Sequence, residues 1–328
     1  MLLLLAVAVI PVTVERRVML MGTSLEITIE AADREAGLAA SERAIEALEA
    51  AEARLSTWRD DTELALLNRA PTGERRGLSP ALAAELSAVV RCSRETDGAF
   101  DPAVGGLVRV WGLRQGGRQP SLEERAAAVA DSSLDGLRLE GGTAVRLRPG
   151  LILEEGGWGK GSGLRDALAA LAQSPGVARA SLDLGGQVAV FGVGTWEVPV
   201  ADPRRRDHAV AVLSIDGGSV STSGNSERGI EVGGRRLGHI LDPRTGEPAP
   251  DFGSVTVWTA DPLRADCLST GLYVLGPERA LAWAAAHPGV EVLVLRPRGH
   301  RLEALASPGL RGRLKALTPE VDVQLRER

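Results

Sequence analysis

Asp266 and Thr270 stand four residues apart in the stretch ADPLRADCLSTGLYVLG, residues 260–276. On a helix that spacing places them on one face together with Ser269 and Tyr273, with Leu268, Leu272 and Leu275 forming a separate apolar stripe. A carboxylate and a hydroxyl presented to one point suit a hard cation such as Mg²⁺. The plainer alternative is a solvated face whose threonine bonds its own backbone. A second group with chemical potential is His239, in GHILDPRTGEP (238–248), beside turns punctuated by Asp242-Pro243 and Thr245-Gly246. A lone histidine is more commonly a packing residue, and His208, His287 and His300 keep that reading.

The third group is a crowded glycine run, LEEGGWGKGSGLRDA (153–167). It holds Gly156, Gly157, Gly159, Gly161 and Gly163 around Lys160, one of two lysines in the chain. It fits neither the P-loop nor the dinucleotide fingerprint: position 154 is Glu, and Leu164 stands where a third glycine belongs. What remains is a backbone that must approach something closely. Two earlier loops supply wall candidates: Trp58 in LSTWRDDTELALLN (55–68), and Asp101 with Trp111 in TDGAFDPAVGGLVRVWG (96–112). Each tryptophan is, taken singly, a plausible packing anchor.

These groups need elements to hold them. Leu25, Ile27 and Ile29 alternate with polar residues, which predicts a half-buried strand. Leu38, Ile45, Leu48 and Leu55 predict a helix over Asp33–Leu55. Ser79-Pro80 opens a second helix that Asp97-Gly98 stops. Short apolar runs recur at 137–139, 144–147, 151–153, 180–184, 188–193, 196–200, 209–215, 237–241 and 254–258, mostly separated by glycine turns. A helix from Gly161 to Gln173 and a pair over 262–286 are set among them. The order is not a strict βαβα alternation, so the expected class is α+β: mixed, largely antiparallel sheets with flanking helices.

Composition narrows the function. The chain has 328 residues, 44% hydrophobic and 25% charged, with a net charge of −5, which lacks the basic footprint expected for nucleic acid. Cys92 and Cys267 cannot form a disulfide framework and read as small buried hydrophobes. The opening MLLLLAVAVIPVTVERR is too short to span a bilayer, which needs about 20 apolar residues. Residues 1–14 therefore read either as a signal peptide without its positive n-region or as an N-terminal strand. Localisation stays open between extracytoplasmic and cytoplasmic, and residues 15–328 are expected to form the functional domain.

Taken in order, the stretches MGT (21–23), STWRDDTELALLN, TDGAFDP with its trailing WG, EEGGWGKG, SLDLGG (181–186), STSGN (221–225), HILDPRTGEP and SVTVWTADPLRADCLSTGLYVLG resemble the ApbE family. These flavin transferases attach FMN to a threonine of a target protein. The resemblance implies a fold related to the T-fold, FAD as substrate, Mg²⁺ or a similar cation, and release of AMP. It places the metal on Asp266, Thr270 and the carbonyl of Gly159, the flavin-stacking aromatic at Trp58, and the family's histidine and lysine at His239 and Lys160. Met21, Asp101, Gly156, Gly157, Ser223 and Gly224 fall where the family contacts FAD. The implied partner is an acceptor protein, a redox subunit, with any membrane association supplied through it.

Transfer of FMN from FAD is phosphoryl transfer at a diphosphate, which depends on positioning and charge neutralisation. His239 or Asp266 could take the hydroxyl proton, help worth about 10²–10⁴ in rate; a metal-bound Asp is the poorer acceptor, which favours His239. The chain departs from the family's D-L-G-G-I-A-K-G-Y-A-x-D pattern at Glu154, Glu155, Ser162 and Arg165, and Asp183 and Gln187 stand where Asn and Asp are common. Two alternatives remain: a pyrophosphatase giving FMN and AMP, if the site lacks a protein-docking surface, or a non-catalytic FAD-binding protein, if the altered 154–165 stretch has cost turnover.

Overall fold

A computed structural model describes residues 10–225 and 229–326. A hairpin of β1 (Val12–Leu20) and β2 (Thr23–Ala31) leads into the long helix α1 (Arg34–Leu55). Helices α2 (Glu63–Arg69) and α3 (Pro80–Glu95) flank the short strand β3 (Arg75–Gly77). Helices α4 (Gly105–Val110) and α5 (Leu122–Asp131) precede the hairpin β4 (Leu137–Glu140) and β5 (Thr143–Arg146). Helix α6 (Gly159–Ala172) is followed by β6 (Val177–Leu184), β7 (Gln187–Gly192), β8 (Trp196–Asp202), β9 (Arg205–Ile215) and β10 (Gly218–Gly224). The small hairpin β11 (Gly229–Val232) and β12 (Arg235–Gly238) comes next, then β13 (Ser254–Thr259). Helices α7 (Pro262–Leu275) and α8 (Pro277–Ala286) come before the last strands, β14 (Val290–Arg298), β15 (Arg301–Ala306), β16 (Leu314–Ala316) and β17 (Val321–Leu325).

The main sheet has nine strands in the order β1-β2-β6-β7-β10-β13-β14-β15-β17, antiparallel throughout except for β15 against β17. Alternation decides what each face meets. In β2 and β6, Leu25, Ile27 and Ile29 pair with Leu184, Leu182 and Ala180, and all six pack with α1 and α6 residues such as Leu48, Leu164 and Leu171. Each such side chain contributes about 1.5–3 kcal/mol on full burial.

Strand β14 reads VEVLVLRPR, apolar without alternation, because both its faces are covered. Val292 and Val294 join the core beneath α7 and α8, whereas Leu293 and Leu295 join a second core under the three-stranded sheet β16-β9-β8. Helices therefore cover one face of the main sheet, and a small sheet covers part of the other.

The expected α+β class is what the chain adopts. Several elements differ from the sequence expectation. The run 151–153 forms no strand, only a single bridge from Ile152 to Val104. The runs 196–200 and 209–215 leave the main sheet and build the second one. The pair of helices expected over 262–286 is present, divided at Gly276, whose φ of 82° lies in the left-handed region. Of the opening stretch, positions 12–14 belong to β1; residues 1–9, where the signal-peptide reading chiefly falls, lie outside the described residues. Among those described, no helix is long and apolar enough to cross a membrane.

Candidate functional site

Two helices meet where the glycine run ends. A Cβ on Gly161 would stand 2.4 Å from the carbonyl oxygen of Pro262 and 2.8 Å from the Cβ of Asp266, so only glycine lets α6 and α7 come this close. The Gly161 amide then donates to Asp266 Oδ2 at 2.9 Å. Gly163 serves α1 instead: a Cβ there would meet Leu48 at 2.8 Å. Gly156 faces open space, and Gly157 lies 3.2 Å from Thr270 Oγ1 by the same measure. Hence only the first part of the run makes room for a ligand. The second part is packing.

Helix α7 begins well capped, with Pro262 at its start and Asp261 accepting from the Leu263 amide at 3.0 Å. It is buried on nearly all sides, so the solvated-face alternative for Asp266 and Thr270 fails. Asp266 is only 4% exposed. Thr270 Oγ1 lies 3.3 Å from its own helix carbonyl at Asp266 and 3.4 Å from Ser223 Oγ. Ser223 and Ser269 share a hydrogen bond of 2.9 Å, which ties the end of β10 to α7. Tyr273 does not join this group. Its hydroxyl donates to the Pro250 carbonyl at 3.3 Å and its ring stacks on Phe252 at 4.6 Å. Burial and Asp251 push its hydroxyl up, beyond the ordinary range.

Beside them opens one cavity of about 820 Å³, within the range of small-molecule sites. Met21, Trp58, Asp101, Gly156, Gly157, Gly159, Lys160, Ser223, Gly224, His239, Asp266 and Thr270 all stand on its wall. Gly159 and Lys160 form the first turn of α6, where backbone N–H groups favour anions.

His239 sits between β12 and a short bridge from Leu241 to Pro248. Its loop is held by Ala249 N to Ile240 O at 2.8 Å and by Asp242 N to Glu247 O at 2.8 Å. Trp111, fully buried, donates from Nε1 to the Gly246 carbonyl at 2.7 Å. Trp111 is therefore a strut for the histidine loop, not a ligand wall.

Asp101 turns its carboxylate inward, accepting from the amides of Ala103 and Leu134, each at 2.9 Å. Burial pushes its pKa up to about 6, against the pull of those amides. It organises the loop that forms this wall.

Trp58 follows the C-cap of α1 and is 67% exposed. The Arg114 guanidinium lies 4.3 Å from its ring centroid and donates to the Thr57 carbonyl at 2.9 Å and to Glu154. Thr57 in turn donates to Glu155. Burial raises the pKa of Glu154, and Arg114 opposes the rise. The two acidic departures from the family pattern are thus tied to a cation and a hydroxyl. Thr23 and Phe100, from the MGT and TDGAFDP stretches, also line the cavity, as do Arg114 and Arg206, which carry no local sequence signal: Arg206 arrives on a strand of the second sheet, and Arg114 on a loop 56 positions after Trp58 in the chain (114 − 58). Among the described residues, no group of three His, Cys, Asp or Glu side chains gathers to hold a metal.

Comparison with known proteins bears on the family and the fold. Residues 21–294 match the model of the ApbE family. The chain is 31% identical over 304 residues to an FAD:protein FMN transferase of Klebsiella pneumoniae (strain 342), covering 89% of this chain and 86% of that protein. It is likewise 31% identical to the protein of that name from Escherichia coli (strain K12), over 88% and 85% of the two chains. Among solved structures, the ApbE protein of Thermotoga maritima superposes with a TM-score of 0.80 at 27% identity, over 87% of this chain and 94% of that one. The flavin transferase ApbE from Vibrio cholerae gives 0.79 at 27% identity, over 92% and 99%. With the ordered motifs, the shared fold and the match over most of its length in agreement, the chain belongs to the ApbE family.

Proposed function

We propose that this chain transfers FMN from FAD to a threonine hydroxyl of an acceptor protein, releasing AMP, with Mg²⁺ bound beside the diphosphate. The observation that carries the reading is the meeting of Asp266 and Thr270 with the first turn of α6 on the wall of a cavity large enough for a dinucleotide. The relatives named FAD:protein FMN transferase supply the substrate class.

The donor chemistry fits the cation. One carboxylate, one hydroxyl and a backbone carbonyl are hard oxygen ligands, and Mg²⁺ typically takes one or two carboxylates together with substrate phosphates. Asp266, Thr270 and the Gly159 carbonyl would hold the ion, which when bound would neutralise charge on the diphosphate oxygens.

The chain's own groups do the rest. Gly156 and Gly157 leave room for the diphosphate beside the first turn of α6, whose positive dipole end favours an anion. Lys160 adds a positive charge on the same wall. Trp58 offers its ring to the flavin once Arg114 shifts from its face, and Met21, Ser223 and Gly224 line the remaining contact. His239 accepts the proton of the acceptor hydroxyl as its oxygen bonds to the FMN phosphorus. The bond from that phosphorus to the bridging oxygen breaks, and AMP departs with the electron pair.

The test is to incubate the protein with FAD, Mg²⁺ and an acceptor domain containing a threonine, then weigh the acceptor. A gain of one FMN supports transfer. AMP formed equally with and without acceptor, and no mass gain, would replace transfer by hydrolysis. FAD bound with no AMP formed under either condition would leave a binding protein.

A further inference from the structure

Arg206 reaches the cavity from a different layer of the fold. It is the second residue of β9, in the three-stranded sheet that covers the back of the main sheet. The β8–β9 ladder slips register at Val200, Ala201 and Asp202, just where this end of β9 pairs, and such irregularities bend a strand and re-aim its side chains. The result is that Arg206 lies on the cavity wall.

Its neighbours are arranged around it. Gly186 has φ of 88°, and a Cβ there would stand 3.4 Å from Arg206 Nη2, so the Gly185-Gly186 turn gives the guanidinium its place. Asp183, just before that turn, accepts from the Gly186 amide at 2.8 Å. Burial pushes the Asp183 carboxyl up, while Lys160 and Arg206 both act to hold it charged. Two cations, Lys160 from α6 and Arg206 from β9, therefore stand within electrostatic reach of Asp183, with Glu26 also close enough to act on it.

We propose that Arg206 is a further substrate-binding residue, its guanidinium engaging a phosphate oxygen of the dinucleotide from the side opposite the first turn of α6. Lys160 and Arg206 then hold the diphosphate between the helical layer and the second sheet. A guanidinium suits this place because its planar fork can meet two phosphate oxygens at once. The inference rests on the reading that the cavity takes FAD.

The test compares wild type, Arg206→Ala and Arg206→Lys for binding of FAD, ADP and riboflavin by titration calorimetry. ADP carries the diphosphate without the flavin, and riboflavin the flavin without phosphate. Arg206→Ala is expected to weaken FAD and ADP by about tenfold or more, as for loss of a charged hydrogen bond, with riboflavin affinity unchanged and Arg206→Lys in between. Unchanged ADP and FAD affinity in Arg206→Ala would overturn the proposal, and so would an equal loss for riboflavin. If wild type binds ADP but not FAD, the FAD reading fails, while the ADP series still decides the role of Arg206.

Discussion

The amide of Gly161 donates a 2.9 Å hydrogen bond to Asp266 across the contact between α6 and α7. One contact thus joins two sequence motifs about a hundred residues apart, and it exists because position 161 has no side chain. Gly161→Ala would force a Cβ against the Pro262 carbonyl at 2.4 Å. Overpacking of this kind costs about 1–3 kcal/mol. Chemical denaturation should show that loss, and the variant should need more Mg²⁺ for half-maximal turnover than wild type. Gly156→Ala, which meets nothing, should leave stability within about 0.5 kcal/mol.

Trp111 holds the loop that carries His239 by donating to its Gly246 carbonyl. Trp111→Phe removes the donor and leaves a buried carbonyl without its partner, a loss of about 1–3 kcal/mol. Because the loop carries the proposed base and few of the other wall residues, kcat should fall while the KM for FAD stays within about twofold, as for a loss confined to the transition state. An equal rise in KM would give the loop a binding role.

Asp101 predicts a pH dependence. Its pKa is raised from 3.8 to about 6 by burial, so the folded protein binds more protons than the unfolded chain between those values. Stability from this group is therefore highest below about pH 4, falls as pH rises towards 6, and is level above that. The span is on the order of 3 kcal/mol. Asp101→Asn cannot ionise and mispairs one of the two amides, so it should be less stable than wild type, with a deficit that shrinks between pH 4 and 6. Denaturation midpoints measured across that range check the trend.

What could be read in advance was local. Asp266 and Thr270 are one helical turn apart, so their spacing alone presented them together. Tyr273 has almost the same helical phase, yet it sits in the core with Phe252, because α7 is buried all round and the cavity covers only part of its length. The glycine run looked uniform, but its members answer to three different neighbours: open space at Gly156, α7 at Gly161 and α1 at Gly163. Nothing within the run separates those roles. Strand order is equally non-local: β2 lies between β1 and β6, about 150 residues on, and Arg206 reaches the wall only because a second sheet folds behind the first.

The most direct test of the proposed metal site is the rate of FMN attachment to an acceptor across a magnesium titration, for wild type and Asp266→Ala. The expected result is saturable magnesium dependence in wild type, loss of it with a chelator, and no attachment by Asp266→Ala at any magnesium concentration, although that variant remains folded. Attachment by Asp266→Ala at the wild-type rate, or a wild-type rate indifferent to the chelator, would contradict it.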